Sequence, residues 1–363
     1  MKNIDQLVRK QIKDMEEINW GEIPDDNPYR LLWGENQQSF AIYKDTIVKE
    51  IQKINLYPSA TKLRLRQNIA KYNNVKAENI VLTNGSDEAL ELIAKVFLNP
   101  IDQVIIPSPS YPCFISVSQM MGAKITSVKL EKDFSLDETK LLNAVTNKTK
   151  IVWVANPNNP TGNILLTKAQ IENLAKQINC LLVIDECYFE LSQITATQLI
   201  KNYPNIIITR SFSKVFALAG ARLGYIIANE IVTTYLNRLQ QTNQVFGINR
   251  FAYAAGLAII SNISLIEKTI KRFQELKQEF ERELQNISLE VIPTQTTFCL
   301  AKLSGKITGN VLKEKLGKRG IYIKDCSIYP NLGKEYIYLG IPQKQYQKKC
   351  IEEIKAALEE LSC

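Results

Sequence analysis

The stretch Ser-Phe-Ser-Lys-Val-Phe-Ala-Leu-Ala-Gly-Ala-Arg-Leu-Gly-Tyr fills residues 211–225, directly after the apolar run Ile-Ile-Ile-Thr-Arg at 206–210. It places an amine at Lys214 and a guanidinium at Arg222. A short, β-branched run such as 206–210 is typical of a strand that is buried on both faces of a sheet. Two further polar islands follow apolar runs upstream: Asn-Pro-Asn-Asn-Pro-Thr-Gly (156–162) and Val-Ile-Asp-Glu-Cys-Tyr (183–188).

Strand-like and helical patterns alternate through the middle of the chain. This alternation predicts the α/β fold class with a mostly parallel sheet. The strand-like runs lie at 80–83, 103–107, 124–129, 151–155, 181–185 and 206–210. The helical patterns between them lie at about 86–98, 135–145, 167–179 and 195–202.

The pattern changes after Gly224. Residues 229–286 are largely helical in pattern, and an α+β portion follows them. We therefore predict two domains: a large one at 45–250, and a smaller one built from both ends of the chain, 1–44 and 251–363. The strand-like runs of the α+β portion lie at 298–302, 321–324 and 336–340, before a final helix.

Composition excludes several kinds of chemistry. The 363 residues include no histidine, which excludes histidine-based triads, histidine metal ligands and histidine acid–base catalysis. The net charge of +8 is spread among interleaved acidic and basic residues, so we expect no nucleic-acid partner. No stretch of about 18 apolar residues occurs, so we expect no membrane span. Proton transfer must come from Lys, Tyr, Asp, Glu or Cys.

The cysteines indicate the redox compartment. There are seven of them, an odd number without a Cys-x-x-Cys pair. This pattern favours neither a disulfide framework nor a zinc site, and we expect a reducing compartment. The first residues, Met-Lys-Asn-Ile-Asp-Gln-Leu, lack the apolar core of a signal peptide. The prediction is a cytoplasmic protein.

The islands together suit an aldehyde cofactor with a pyridine ring and a phosphate, which is pyridoxal 5′-phosphate (PLP). Lys214 supplies the amine that joins the aldehyde and later moves the proton at the substrate Cα. Asp185 ends an apolar run and would keep the pyridine nitrogen protonated. Asn159 and Tyr188 would both hydrogen-bond the ring oxygen. These residue types in this order favour a PLP site.

The phosphate of such a cofactor needs donors. Gly85, Ser86 and Asp87 open a predicted helix directly after a strand, where backbone N–H groups and the helix dipole attract anions. An ordinary helix cap is the alternative interpretation of this start. Further donors are Ser211, Ser213 and Arg222, and Tyr111 is the candidate for stacking on the ring.

From about residue 55 to 225, the chain resembles fold-type I PLP enzymes, close to the histidinol-phosphate aminotransferases and also similar to the threonine-phosphate decarboxylases. The shared motifs include Leu-Tyr-Pro-Ser (56–59) and Leu-Thr-Asn-Gly-Ser-Asp-Glu-Ala (82–89) besides the three islands above. The resemblance implies a large domain whose sheet is sandwiched by helices, plus a smaller α+β domain. It also implies a homodimer in which Tyr57 reaches the phosphate of the neighbouring subunit's cofactor.

The ends of the chain depart from this family in ways that concern the substrate. Where relatives read Asn-Glu-Asn-Pro, residues 34–37 read Gly-Glu-Asn-Gln, which leaves Asn36 as a candidate substrate contact. Tyr338 falls where we expect the arginine that binds the substrate carboxylate. A phenol cannot replace the charge-assisted bonds of a guanidinium, worth about 1.5–3 kcal/mol. Lys324 is a candidate replacement contact for an anion, and a solvated lysine at a strand end is the alternative.

The leading functional hypothesis is an aminotransferase acting on a small amino substrate. A decarboxylase is the second hypothesis, and a cyclase, elimination or replacement enzyme in secondary metabolism is the third. A nicotinamide-dependent dehydrogenase would need a Gly-x-Gly-x-x-Gly after an early strand, and the sequence has none. A regulator that has lost catalysis would need a DNA-binding domain or a disrupted lysine, whereas a catalytically silent binding protein stays open.

Overall fold

The computed structural model describes residues 4–15, 17, 23–24, 26–38, 41–58 and 60–362. Ser59 of the Leu-Tyr-Pro-Ser motif, Cys363 and parts of the predicted 1–44 segment lie outside the described residues.

A seven-stranded sheet forms the centre of the described chain, in the order β1-β7-β6-β5-β4-β2-β3. All pairings are parallel except those of β7, which runs antiparallel to β6 and β1. The predicted α/β class with a mostly parallel sheet is therefore confirmed. The strands are β1 (Ile80–Thr83), β2 (Gln103–Ser108), β3 (Lys124–Lys129), β4 (Thr149–Ala155), β5 (Leu181–Asp185), β6 (Ile206–Ser211) and β7 (Gly224–Ala228).

Helices cover both faces of this sheet. Alternate residues of each inner strand belong to separate cores: Val154 and Ile184 to one, Trp153 and Val183 to the other. Burial on both faces explains why these strands are continuously apolar. The helices are α1 (Lys10–Lys13), α2 (Ala41–Ile51), α3 (Ala60–Tyr72), α4 (Gly85–Phe97), α5 (Cys113–Met120), α6 (Glu138–Ala144), α7 (Lys168–Gln177), α8 (Phe189–Ser192), α9 (Glu230–Asn243), α10 (Arg250–Ile260), α11 (Ile263–Asn286), α12 (Gly309–Gly317) and α13 (Lys344–Ser362).

A second, antiparallel sheet follows in the order β10-β11-β9-β8. One face packs on α11, α12 and α13 around its own core. The other face, with Phe298, Leu300 and Tyr338, packs against Tyr188 of the large sheet's edge. The exact domain limits predicted above stay a prediction. The strands are β8 (Glu290–Ile292), β9 (Phe298–Lys302), β10 (Lys324–Asp325) and β11 (Tyr336–Gly340).

Two predicted elements differ from those observed. The helical pattern at 195–202 forms a 3₁₀ helix, Thr197–Lys201, because Thr195 and the backbone N–H of Ala196 bind the Glu186 carboxylate just before it. The strand predicted at 321–324 is the two-residue β10. In the described ranges, no helix combines the length and the apolar character that crossing a bilayer requires.

Candidate active site

The predicted site residues follow strands that end at one edge of the large sheet. Because β1, β2, β4, β5 and β6 point the same way, the segments after them meet at that edge. Six predicted residues line one pocket there, together with Ala155, Pro157 and Cys187. The six are Ser86, Tyr111, Asn159, Asp185, Tyr188 and Lys214.

Lys214 projects into this pocket from the turn after β6. Its Nζ donates a hydrogen bond to the Trp33 carbonyl oxygen at 3.1 Å and lies 5.7 Å from the centre of the Tyr188 ring. Burial lowers the pKa of Lys214, while the nearby acidic groups, Cys187 foremost, oppose that shift. The pocket therefore favours an uncharged, nucleophilic amine more than water does.

Asp185 is the last residue of β5 and is only 6% exposed. The backbone N–H of Cys187 donates to its Oδ1 at 3.0 Å. Burial raises the pKa of Asp185 to about 6, against the lowering effect of the Cys187 hydrogen bonds. A cation placed beside this carboxylate would restore its ionised form.

Tyr188 and Tyr329 contact the side chain of Asn159, and Tyr338 hydrogen-bonds Tyr188. Burial raises the pKa of Tyr188, and its side-chain hydrogen bonds with Tyr338 and Asn159 oppose the shift. The Tyr329 hydroxyl donates to Asn159 Oδ1 at 3.4 Å. The structure thus brings Asn159 and Tyr188 together with Tyr338 as neutral hydrogen-bonding groups. Burial likewise raises the pKa of Tyr338 well above its usual value.

The start of α4, whose Ser86 lines the pocket, contacts Arg222 through Asp87. Arg222 Nη2 donates to Asp87 Oδ2 at 2.7 Å, and its Nη1 lies 3.5 Å from Ser213 Oγ. The Tyr111 hydroxyl donates to Asp87 Oδ1 at 2.9 Å. The Asp87 carboxylate therefore holds two of the side chains predicted to surround the cofactor. Ser211, the last residue of β6, accepts at its Oγ from the backbone N–H of Ser213 at 3.1 Å.

Two glycines allow this close approach. Gly85 has φ +76°, and a Cβ there would lie 2.6 Å from Arg222 Nη2. A Cβ on Gly224 would lie 2.6 Å from the Gly85 carbonyl carbon and 2.8 Å from the Ser86 nitrogen. The first turn of α4 can sit against β7 because Gly224 lacks a side chain, and the positive φ of Gly85 suits a glycine.

The candidate substrate residues have different surroundings. Tyr338 is 1% exposed, stacks on Phe298 at 4.1 Å and points its hydroxyl at Gly34. Lys324 Nζ lies 5.1 Å from the Tyr338 ring centre, and burial together with Lys214 lowers the pKa of Lys324 to about 8. Asn36 uses its amide to donate to the Val215 carbonyl at 2.9 Å. Its Oδ1 accepts from the backbone N–H of Gln38 at 3.1 Å, so Asn36 ties its own segment to the loop that carries Lys214.

Tyr57 lies apart from this pocket. It is 74% exposed and stacks on Phe246 with ring centres 4.1 Å apart. Sequence reasoning overlooked Trp33 and Tyr329, both of which contact predicted site residues. Trp33 acts through its backbone carbonyl, which leaves no sequence signal. Tyr329 is followed by Pro330, and this Tyr-Pro pair is a signal that the sequence does offer.

Comparison with known proteins identifies the family. The model of the aminotransferase class I and II family matches residues 25–335. The histidinol-phosphate aminotransferase of Methanococcus aeolicus is 30% identical over 89% of this chain and 86% of its own length.

Two solved structures share the fold. That of Sinorhizobium meliloti histidinol-phosphate aminotransferase with pyridoxal-5′-phosphate superposes with a TM-score of 0.86, at 20% identity over 98% of both chains. That of Porphyromonas gingivalis L-threonine-O-3-phosphate decarboxylase gives 0.77, at 24% identity over 91% of this chain and 99% of the other. The chain described here therefore belongs to the class I and II aminotransferases, enzymes that depend on PLP.

Proposed function

We propose that this enzyme transfers the amino group of a small phosphorylated amino compound, with histidinol phosphate as the first candidate because similar curated proteins carry that name. The observation that carries the proposal is the joint placement of Lys214, Asp185, Asn159 and Tyr188 around one pocket. An amine, a buried carboxylate and two ring-oxygen partners are what PLP-dependent amino transfer requires.

The residues present fit PLP at both of its ends. The Asp185 carboxylate, whose pKa burial raises to about 6, suits a cationic pyridine N–H. The start of α4, with Ser86, Ser213 and Arg222, supplies donors for a phosphate. When bound, the cofactor withdraws electrons from the substrate Cα. Lys214 holds or moves the proton at that Cα, and Tyr188 with Asn159 orients the ring oxygen.

Lys324 and Tyr338 form the proposed substrate side of the pocket. They are register partners on β10 and β11, so both side chains stand on the face that packs against Tyr188. In place of a fork-shaped guanidinium, an anionic substrate group would meet an ammonium and a phenol. This departure favours a second candidate function, decarboxylation of a phosphorylated amino acid, since substrate orientation decides which bond is cleaved.

A homodimer is part of the proposal. Apolar side chains of α2 and the segment after it are exposed beside the Tyr57–Phe246 stack: Val48 61%, Ile51 53%, Ile54 68%, Leu56 58% and Phe246 49%. An apolar patch of this kind marks an interaction surface. A second copy covering it would place Tyr57 next to another molecule. A cytoplasmic location is also part of the proposal, because an odd number of cysteines without a Cys-x-x-Cys pair favours a reducing compartment.

Product analysis tests the reaction type. The purified enzyme with PLP is incubated with histidinol phosphate, phosphothreonine and a panel of amino acids, each with 2-oxoglutarate. We expect a carbonyl product with the full carbon skeleton, and glutamate in equal amount. Release of carbon dioxide without glutamate would establish the decarboxylase instead. No turnover of any phosphorylated compound would contradict the proposed substrate class.

A further inference from the structure

A buried charge lies on the opposite face of the large sheet from the pocket. Arg210, on β6, pairs in register with Tyr225, which belongs to the core on the face opposite Val183. Its ion-pair partner is Glu186, the residue after Asp185. Their side chains are 2% and 1% exposed. Neither Arg210 nor Glu186 lines the pocket, so the chemistry of the pocket does not explain why the two charges are there.

The pair is held by a dense set of hydrogen bonds. Arg210 donates to Glu186 Oε2 through Nε at 3.1 Å and Nη2 at 2.7 Å, and to Asn73 Oδ1 through Nη1 at 2.7 Å. The Thr195 hydroxyl and the backbone N–H of Ala196 also donate to the Glu186 carboxylate, at 2.8 and 2.7 Å. So many partners leave both side chains a single arrangement.

Arg210 also contacts the chain beyond Glu186. Its guanidinium carbon lies 3.5 Å from the centre of the Phe189 ring. The Phe189 N–H donates to the Glu186 carbonyl at 2.9 Å, closing a turn. The same guanidinium therefore contacts both Glu186 and Phe189, the residues that flank Cys187 and Tyr188. We call this arrangement of Arg210, Glu186 and Phe189 the clamp.

Stability alone does not require such a clamp. A well-packed hydrophobic pair of similar volume is often as stable as a buried ion pair, because taking two charges out of water is costly. The ion pair instead supplies directional hydrogen bonds. Because the guanidinium of Arg210 is planar and its donors are fixed, these bonds permit only one geometry of the turn. The turn they fix presents Asp185 and Tyr188 to the pocket.

We propose that Arg210 is a positioning residue that sets the Tyr188 hydroxyl against the cofactor. The inference rests on the proposed contact between Tyr188 and the ring oxygen. Removing the clamp would let the 186–189 turn relax and lengthen that contact. The bound cofactor would then titrate at a different pH, because Tyr188 stabilises one of its protonation states.

The test uses the holoenzyme and two readouts, the pH midpoint of the cofactor's absorbance change and the melting temperature. Arg210→Met with Glu186→Gln removes both charges of the pair, and loss of the cation also raises the pKa of the buried Glu190, which favours its neutral form. We expect the midpoint to move by about 0.5–1 pH unit. A shift of this size corresponds to losing part of the free energy of one hydrogen bond to a charged group. Tyr188→Phe should move it too, and adding the clamp substitutions to Tyr188→Phe should move it no further.

A matched control separates positioning from general loss of stability. Lys277 and Glu281 form another largely buried ion pair at 2.9 Å, distant in sequence. Lys277→Met with Glu281→Gln removes the same two charges elsewhere in the molecule and should leave the midpoint unchanged. If the double variant does not fold, Arg210→Lys replaces it in the test. This substitution keeps the charge but loses the planar guanidinium, and it should also move the midpoint.

The outcomes distinguish the two levels of the proposal. A shift with Tyr188→Phe but none with either Arg210 variant would overturn the clamp and leave the proposed function intact. No shift with Tyr188→Phe would remove the assumed Tyr188 contact and the clamp's role with it. Equal shifts in the clamp variant and the Lys277 control would show a structural effect only.

Discussion

Lys324 sets the charge on the substrate side of the pocket. Its pKa, lowered by burial to about 8, means that the ammonium is present below that pH and is lost above it. We expect the Kd of an anionic probe, 2-oxoglutarate, to rise about tenfold from pH 7 to pH 9. The perturbation of the cofactor's absorbance reports binding.

Lys324→Arg should flatten this dependence, because a guanidinium stays charged throughout the range. Lys302→Arg is the control: Lys302 also lies near a tyrosine of β11, with Nζ 5.9 Å from the Tyr336 ring centre. A pH dependence that survives in Lys324→Arg would assign the titration to another group.

Glu190 is a buried carboxyl with an effect on stability. It is 2% exposed, its Oε1 has no hydrogen-bond partner, and burial raises its pKa to about 7. Between its unfolded and folded pKa values the folded state binds the extra proton, so stability falls as pH rises from about 4.5 to 7. We expect Glu190→Gln to remove on the order of 2 kcal/mol of this loss between pH 5 and pH 8, measured by urea unfolding. Equal pH slopes in both proteins would contradict the assignment.

At the scale of elements, the first turn of α4 depends on its contact with β7. Gly224→Ala would press a methyl group onto the backbone of Gly85 and Ser86, so we expect a loss of about 1–3 kcal/mol of stability and weaker PLP binding. Gly220→Ala, in the segment just before β7, is the matched control, since a Cβ there meets nothing within 4 Å. Fluorescence titration with PLP measures the cofactor affinity of each variant, and thermal melts measure its stability. An unchanged PLP affinity in Gly224→Ala would show that the contact does not shape the phosphate end.

Local patterns predicted the elements that local chemistry determines. The parallel strands were predictable because burial on both faces makes them continuously apolar. Asp185 and Lys214 were predictable as candidates because Asp185 ends such a strand and Lys214 follows one. The strand β7 was missed, since nothing local shows that it turns back antiparallel between β6 and β1. The stacking of Tyr338 on Phe298 and the contact of Lys214 with the Trp33 carbonyl join distant segments, which no periodicity reveals.

For the whole molecule, the exposed patch beside Tyr57 predicts association. We expect a dimer by sedimentation and expect Ile51→Asp with Ile54→Asp to yield monomers that bind PLP more weakly, because the Tyr57 contact from the second copy is lost. Ile231→Asp, at a site 67% exposed on α9, is the control and should stay dimeric. A monomeric wild-type protein with full activity would refute the shared site.

The most direct test of the central claim is to reduce the PLP-loaded enzyme with borohydride and locate the attached group by peptide mass spectrometry. We expect the pyridoxyl phosphate mass on the peptide that contains Lys214, and its loss in Lys214→Ala. Attachment to a different lysine, or none at all in the wild-type enzyme, would contradict it.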